Sequence, residues 1–344
     1  MQSAAAPSVL DEARLTAYLE ACLDGFHGPI TARKFPGGQS NPTFLIETAA
    51  QRYVLRRKPP GNVLQSAHAV DREFRVITAL AHSAVPVARA IHLCTDDSVI
   101  GSMFYLMSYV AGRTFWDAAL PEVPRAQRHA VYQEISRTLA ALHQVDLEAV
   151  GLGDYGPRGN YFARQISRWT RQYRQSETGV NRAMNRLIDA LPANLPADDG
   201  RVCLIHGDYR IDNMIFSRSS PRILALIDWE LSTLGHPMAD LAYFCMSLRL
   251  PALSNMKGLD GQDRAALNIP AEAEFIEHYC DQVGLGGISD WPFYLAFSYF
   301  RLAAIVQGVM QRALAGNASS PQALEVGKMA QPLAQMGLAV LESG

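Results

Sequence analysis

One stretch constrains this chain more than any other: Leu204-Ile-His206-Gly207-Asp208-Tyr-Arg210-Ile-Asp212-Asn213-Met-Ile-Phe216, followed by Ile227-Asp228-Trp229-Glu230. An apolar run stops at His206-Gly207-Asp208, so a strand delivers Asp208 to a loop. Asn213 stands five residues further on, where the next apolar run begins. That run is expected to pair with Ile223–Ile227 across Ser-Arg-Ser-Ser-Pro, and the hairpin returns Asp228 to the end of its second strand. Three oxygen-bearing side chains thereby converge at one strand–loop edge. An Asn with one Asp is a sparse ligand set, suited to a Mg²⁺ ion that keeps waters and phosphate oxygens as its other ligands. Asp208, outside that pair, can accept a proton from a hydroxyl. Phosphoryl transfer asks for this combination of a positioned base and a metal between phosphates.

The rest of the chain sets that edge in an α+β frame. With 344 residues, about two domains or one two-lobed unit are expected. Asp11–Leu23 has amphipathic helical spacing. Ile30–Phe35, Thr43–Thr48 and Tyr53–Arg57 read as short antiparallel strands, with Pro36-Gly37-Gly38-Gln39-Ser40-Asn41 as a turn between the first two. Pro59-Pro60-Gly61 breaks the chain, Ala67–Leu80 returns to helical spacing, and Val85–Leu93 and Met103–Val110 are again strand-like. A small sheet with one inserted helix is therefore expected up to residue 110. From Ala111-Gly112 the texture is mostly helical, through Pro124–Val145, Tyr161–Gln175 and Asn181–Ala190, and again from Met238 to the end apart from a polar loop at about 251–269. The boundary is placed accordingly, with 1–110 as an N-terminal lobe and 111–344 as a C-terminal lobe.

Charge and cysteine usage exclude several classes. Thirty-one Lys+Arg against 33 Asp+Glu leave a formal charge of −2 with the signs interspersed, so neither nucleic acid nor an anionic membrane is expected as the main partner. Five separated cysteines without a Cys-x-x-Cys argue against a disulfide framework or zinc ribbon and suit a reducing cytoplasm. Met1–Leu23 lacks a basic start and carries Asp11, Glu12 and Glu20, unlike a signal peptide. The apolar window Trp291–Met310 contains Pro292, Arg301 and Gln307, and reads as a buried helix rather than a membrane span. Gly151-Leu-Gly153-Asp-Tyr-Gly156 matches the dinucleotide fingerprint in letters alone. It follows a helix rather than a strand, so a surface loop is expected. Walker A, His-Glu-x-x-His and Gly-x-Ser-x-Gly patterns are absent.

The catalytic-type loop resembles that of the aminoglycoside phosphotransferase and choline kinase superfamily, itself similar to protein kinases, where His-Gly-Asp-x-x-x-x-Asn precedes Ile-Asp-x. The finer texture resembles most the phosphotransferase domain found fused to acyl-CoA dehydrogenases in animals and free-standing in bacteria. Four blocks carry that likeness: Tyr53-Val-Leu-Arg-Arg-Lys-Pro-Pro-Gly61, Ser66-Ala-His-Ala-Val-Asp-Arg-Glu-Phe74, His206–Asn213 and Leu234-Gly-His-Pro-Met-Ala-Asp-Leu241. The resemblance spans roughly residues 10–340. It implies a bilobal kinase-like fold, with a small N-lobe of antiparallel strands plus one helix covering ATP and a large helical C-lobe holding the acceptor. By position, it implies Asp208 as base and Asn213 and Asp228 as Mg²⁺ ligands. Arg56 takes the place of the strand lysine that holds phosphates, and Glu73 that of its carboxylate partner. Ser40 and Asn41 would donate to the β- and γ-phosphates, while the Ser108 carbonyl and Val110 amide would meet adenine. His206 and Asp240 match positions that brace the loop.

The expected reaction is Mg²⁺-dependent transfer of the γ-phosphoryl of ATP to a hydroxyl of a small molecule. Arg158, Arg164, Arg168, Arg171, Arg174 and Arg182 crowd the helices after residue 150, which favours an anionic hydroxy acid or hydroxyacyl-CoA acceptor over a polycation. The alternatives are an aminoglycoside or choline/ethanolamine-type kinase, a metal-dependent hydrolase built on His206, Asp208, Asp228, His236 and Asp240, and a regulatory pseudokinase. Met and aromatic residues in Phe293–Met310 are expected mainly as core.

Overall fold

The computed structural model describes residues 10–35, 41–59, 69–252, 257–317 and 322–343. The chain divides into two compact units, Met1–His82 with Val87–Ala111 and Ser83–Pro86 with Gly112–Gly344.

The first unit opens with α1 (Glu12–Cys22), whose N-cap Asp11 accepts the Arg14 N–H at 3.0 Å. The strands β1 (Thr31–Lys34), β2 (Thr43–Glu47) and β3 (Arg52–Arg57) precede α2 (Val70–Ala79), then β4 (Ala90–Cys94) and β5 (Phe104–Ser108). They form an antiparallel sheet in the order β1-β2-β3-β5-β4. The β2–β3 turn is tight because the Thr48 hydroxyl accepts the N–H groups of Ala50 and Gln51. Period-two alternation divides β3 between the two sheet faces. Tyr53 and Leu55 join Leu15, Leu19, Phe26, Ile46, Phe104 and Leu106 in one core. Val54 and Arg56 belong to the opposite face. The register sets Arg56 across from Tyr105, so a guanidinium and a phenol share that face. Helix α2 buries Val70, Glu73, Val76 and Ile77, a helical stripe into which one carboxylate is built.

The second unit is mainly helical, beginning with α3 (Arg125–His143), α4 (Tyr161–Ser176) and α5 (Arg182–Ala193). Four short strands follow: β6 (Cys203–Ile205), β7 (Met214–Phe216), β8 (Ile223–Leu226) and β9 (Thr233–Gly235). The expected β7–β8 hairpin is present and antiparallel. Strand β6 pairs with β9, a three-residue strand that the sequence pattern did not reveal. Helices α6 (Met238–Leu248), α7 (Arg264–Leu267), α8 (Glu272–Val283), α9 (Trp291–Leu314), α10 (Ala323–Lys328) and α11 (Ala330–Ser343) complete the unit. By length and apolarity α9 resembles a membrane span, but 83% of its most apolar window is buried inside the protein.

The strand expected over Val85–Leu93 starts only at Ala90. Pro86 has no N–H for a ladder, and its carbonyl instead accepts the Leu226 N–H at 2.8 Å within the second unit. The glycine-patterned segment 151–156 is a loop after α3, with Gly151 at φ +72°, and no strand leads into it.

Close approach of α11 to α9 rests on Gly337. A Cβ there would lie 2.8 Å from the Tyr299 Cβ and 3.3 Å from the Ala296 carbonyl oxygen. Gly337→Val is therefore expected to destabilise the protein by about 1–3 kcal/mol through overpacking. Gly286→Ala, which meets no atom within 4 Å, should stay within about 0.5 kcal/mol of the wild type in urea unfolding.

Candidate active site

In the first unit four buried polar side chains meet. Arg56 Nε lies 2.9 Å from Glu73 Oε2, and the Tyr105 hydroxyl donates to that same oxygen at 3.1 Å. Asn41 Nδ2 donates to Glu73 Oε1 at 2.8 Å. Glu73 is 1% exposed and Asn41 0%, so a cation and two neutral donors take the place of water around the carboxylate. The side-chain amide of Asn41 is thus engaged with Glu73. Ser40 and the rest of the 36–40 turn lie outside the described residues. Ser108 ends β5 opposite Tyr53, and its hydroxyl accepts the Arg89 N–H at 3.0 Å. Val110 lies two residues beyond, just before the unit ends at Ala111.

In the second unit β6 delivers His206-Gly207-Asp208 to a tightly accounted loop. Asp240, 0% exposed on the first turn of α6, accepts the His206 N–H at 2.6 Å and the Gly207 N–H at 2.8 Å. His143 Nε2 lies 3.5 Å from the same carboxylate, and its Nδ1 meets the Tyr279 hydroxyl at 2.7 Å. Gly207 turns at φ +82°, where a Cβ would sit 2.4 Å from the Leu231 carbonyl oxygen, so the position admits only glycine. The Asp208 N–H donates to His206 Nδ1 at 3.2 Å, while His206 Nε2 donates to the Ile227 carbonyl at 2.9 Å. That pattern puts the imidazole proton on Nε2.

Asp208 keeps a partly exposed carboxylate, 23% accessible. Asn213 Nδ2 donates to its carbonyl and to its Oδ2, both at 2.9 Å. Burial opposes ionisation of Asp208. Arg210, with Nε 3.5 Å from Oδ1, together with Arg301 and the Asn213 amide, outweighs it and holds the carboxyl below its ordinary range. The neighbouring Asp212 is pushed the other way, chiefly by burial. The Ile227 N–H donates to the Asn213 carbonyl at 3.0 Å, which brings Asp228 beside Asn213. Asp228 adopts φ +69°, a left-handed conformation that Asp tolerates better than bulkier residues. The structure thus gathers Asp208, Asn213 and Asp228, and gathers Arg56, Glu73 and Asn41 separately. The Asn213 NH₂ is committed to Asp208, and its amide oxygen stands with the Asp228 carboxylate beside it. That hard-oxygen pair fits Mg²⁺.

The metallohydrolase grouping is not assembled. His206 faces a backbone carbonyl, Asp240 faces backbone N–H groups, and His236 pairs with Asp199 at 3.2 Å. Among the described residues no cluster of three His, Cys, Asp or Glu can hold a metal. Two contributors were missed in the sequence. Tyr243, one turn beyond Asp240, has its phenol pushed up by burial and then by Asp208 beside it. Arg301 of α9 donates to the Gly207 carbonyl. The signal for Arg301 was present as a lone cation in an apolar window.

The profile of the phosphotransferase enzyme family matches residues 31–282. The chain belongs to that family. This phosphotransferase is 45% identical over 325 residues to acyl-CoA dehydrogenase family member 10 of Mus musculus, covering 94% of the chain and 30% of that protein. It is 46% identical over 335 residues to family member 11 of Gallus gallus, covering 95% of the chain and 43% of that protein. The chain therefore spans well under half the length of these curated relatives. A Ralstonia eutropha crystal structure, provisionally described as an aminoglycoside phosphotransferase, aligns with TM-score 0.88 and 48% identity over 97% of this chain and 99% of that one. A ternary complex of the aminoglycoside phosphotransferase APH(4)-Ia with AMP-PNP and hygromycin B shares the fold, at TM-score 0.63 and 16% identity over 95% of this chain and 98% of that one. The enzyme is accordingly a phosphotransferase of the small-molecule kinase type, and its fold is the mixed α and β, kinase-like one expected from the sequence.

The Asp240 clamp makes a pH prediction. Burial opposes its charge, but His143 beside it and the Gly207 N–H hold its carboxyl below the ordinary range. A depressed folded-state pKa gives stability that is present above about pH 4 and lost as pH falls below it. Asp240→Asn should cost about 1–3 kcal/mol at neutral pH, with the gap to wild type narrowing below about pH 4 in thermal melts.

Proposed function

We propose that the enzyme transfers the γ-phosphoryl group of ATP to a hydroxyl of a small anionic acceptor, a hydroxy acid or hydroxyacyl-CoA. The observation that carries this reading is Asp208, partly exposed, kept ionised and fixed by Asn213 next to Asp228. The Asp208 carboxylate accepts the hydroxyl proton as the acceptor oxygen bonds to the γ-phosphorus, while the bond from that phosphorus to the β–γ bridging oxygen breaks and ADP departs. Asn213 and Asp228 would hold Mg²⁺, which when bound neutralises charge on the phosphate oxygens. Arg56, oriented by Glu73, is the cation for the nucleotide phosphates, and the backbone at Ser108 and Val110 the contact for the base.

Two observations support an anionic acceptor. Among the six arginines between residues 158 and 182, Arg158 pairs with Glu148, Arg164 caps the Pro157 carbonyl and Arg174 pairs with Glu177. Arg168 instead lies with its guanidinium carbon 5.3 Å over the Trp169 ring, and its proton is loosened by burial and then by Arg301, a cation that also acts on Asp208. The acyl-CoA dehydrogenase names of the relatives favour the same acceptor chemistry.

Asp208→Asn should lower kcat by about 10²–10⁴-fold with ATP affinity retained, since proton transfer by a positioned group is worth that much. Turnover within a few-fold of wild type would remove Asp208 from the base role. Asp228→Ala should abolish the Mg²⁺-dependent part of ATP binding in calorimetry. A screen by ADP release across hydroxy acids, their CoA esters, amino alcohols and aminoglycosides should give turnover on the acidic acceptors. Affinity for them should fall as salt shortens the Debye length below about 8 Å. Efficient phosphorylation of an aminoglycoside or amino alcohol alone would overturn the acceptor class.

A further inference from the structure

Arg301 sits in the middle of α9 at 5% exposure, among side chains that are almost all apolar. A guanidinium does not leave water without compensation. Among the described residues no carboxylate lies within ion-pair distance of it. Its Cζ instead lies 5.0 Å from the centre of the Tyr243 ring and 5.6 Å from that of Trp169, and its Nη2 donates to the Gly207 carbonyl. Two aromatic faces hold the cation while its hydrogen-bonding edge meets one backbone oxygen.

That oxygen belongs to the peptide joining Gly207 to Asp208. The other backbone groups around it are already allotted. Asp240 takes the N–H groups of His206 and Gly207, His206 Nδ1 takes the N–H of Asp208, and Asn213 takes the carbonyl of Asp208. Those partners lie within the loop itself or on the first turn of α6. Arg301 supplies the remaining contact from 94 residues downstream, and so ties the loop to the long central helix. Gly207, with φ +82° and no side chain, cannot hold its own peptide plane by packing.

We propose that Arg301 is a positioning residue of the phosphotransferase reaction. It fixes the plane of the Gly207–Asp208 peptide, and with it the direction of the Asp208 carboxylate, through a guanidinium held against the rings of Trp169 and Tyr243. The inference rests on the reading of Asp208 as base, and two readouts separate the two ideas. Hydrogen exchange across the segment 203–213 reports on the loop without any turnover, and kcat against nucleotide affinity reports on its consequence.

Arg301→Met keeps the aliphatic stem and removes the cation. In that variant the loop amides are expected to exchange about tenfold faster than in wild type while amides of the other helices keep their protection. Loss of orientation should lower kcat by about 10²-fold, with ATP affinity in calorimetry within about threefold of wild type. Arg301→Lys should recover part of both effects, because an ammonium reaches a carbonyl but lacks the planar fork and its stacking. A folded Arg301→Met protein with wild-type loop exchange and wild-type kcat overturns the proposal. So does a parallel loss of kcat, ATP affinity and protection throughout the second unit, which marks a merely structural arginine. Should Arg301→Met fail to fold, Arg301→Lys decides: lowered kcat at an unchanged melting temperature supports the role, and wild-type kcat and loop exchange overturn it. A wild-type enzyme that turns over no acceptor would instead count against the phosphotransfer reading, with loop exchange still deciding the role of Arg301.

Discussion

The grip of the Asp240 carboxylate on the His206 and Gly207 N–H groups is the contact on which the 206–213 loop of the second unit depends. A fully buried carboxylate costs several kcal/mol in lost hydration and persists only where charge-assisted donors replace the water. Here two backbone N–H groups do so, with the His143 ring 3.5 Å away. The same contact solves a geometric problem. A strand that stops short leaves unsatisfied N–H groups, and a loop with such groups would fray toward solvent. Fixing them inside the protein lets Gly207 hold a left-handed turn against the Leu231 carbonyl and lets Asp208 emerge in one orientation. A loop residue thereby acquires the rigidity of a strand residue, which is what the proposed base needs.

The first unit uses the same device with different parts. Glu73 interrupts the apolar stripe of α2 and meets Arg56 of β3, and Asn41 and Tyr105 complete its hydrogen bonding. Removing either partner of such a pair is costly, because the remaining charge stays buried and alone. A buried ion pair is weak evidence of stability in itself. Its value here is register: only one pairing of β3 with β5 sets Arg56 opposite Tyr105 on the face where α2 packs its carboxylate. The pair that fixes the sheet is also the pair that presents a cation.

How much of this was legible follows from the distance over which each signal acts. Asp208, Asn213 and Asp228 could be read together because one short strand, one turn and one hairpin connect them, and period-two patterning predicts where each stops. The strands β1, β2, β3 and β5 were legible for the same reason. Strand β9 was not, since Thr233-Leu-Gly235 is too short to show alternation and its identity depends on β6 lying beside it. The Val85–Leu93 segment misled because its β-branched residues suit a strand, whereas Pro86 spends its carbonyl on Leu226. Asn41 could be placed in a turn, but nothing local announces that its amide belongs to Glu73, 32 residues on. Arg301 lies further out of reach: a lone cation in an apolar helix declares that a partner exists without saying which one.

The electrostatics of Asp208 also bear on the kind of chemistry it can do. Arg210, Arg301 and the Asn213 amide keep its carboxylate ionised despite burial, so its proton affinity in the resting enzyme is low. A carboxylate held below its ordinary range is a poor choice for pulling a proton from an alcohol early in a reaction. It is a good choice where the proton moves late, after the bond to the leaving group has largely broken and the acceptor oxygen has become acidic. A loose phosphoryl-transfer transition state has that character, with little nucleophile activation required and most of the rate gained from placement and charge stabilisation. The loop is built accordingly: its polar groups are devoted to direction, through Asp240, His206 and Asn213, rather than to raising the basicity of Asp208. A hydrolytic base that must deprotonate water early would gain from the opposite environment, apolar and free of guanidinium groups.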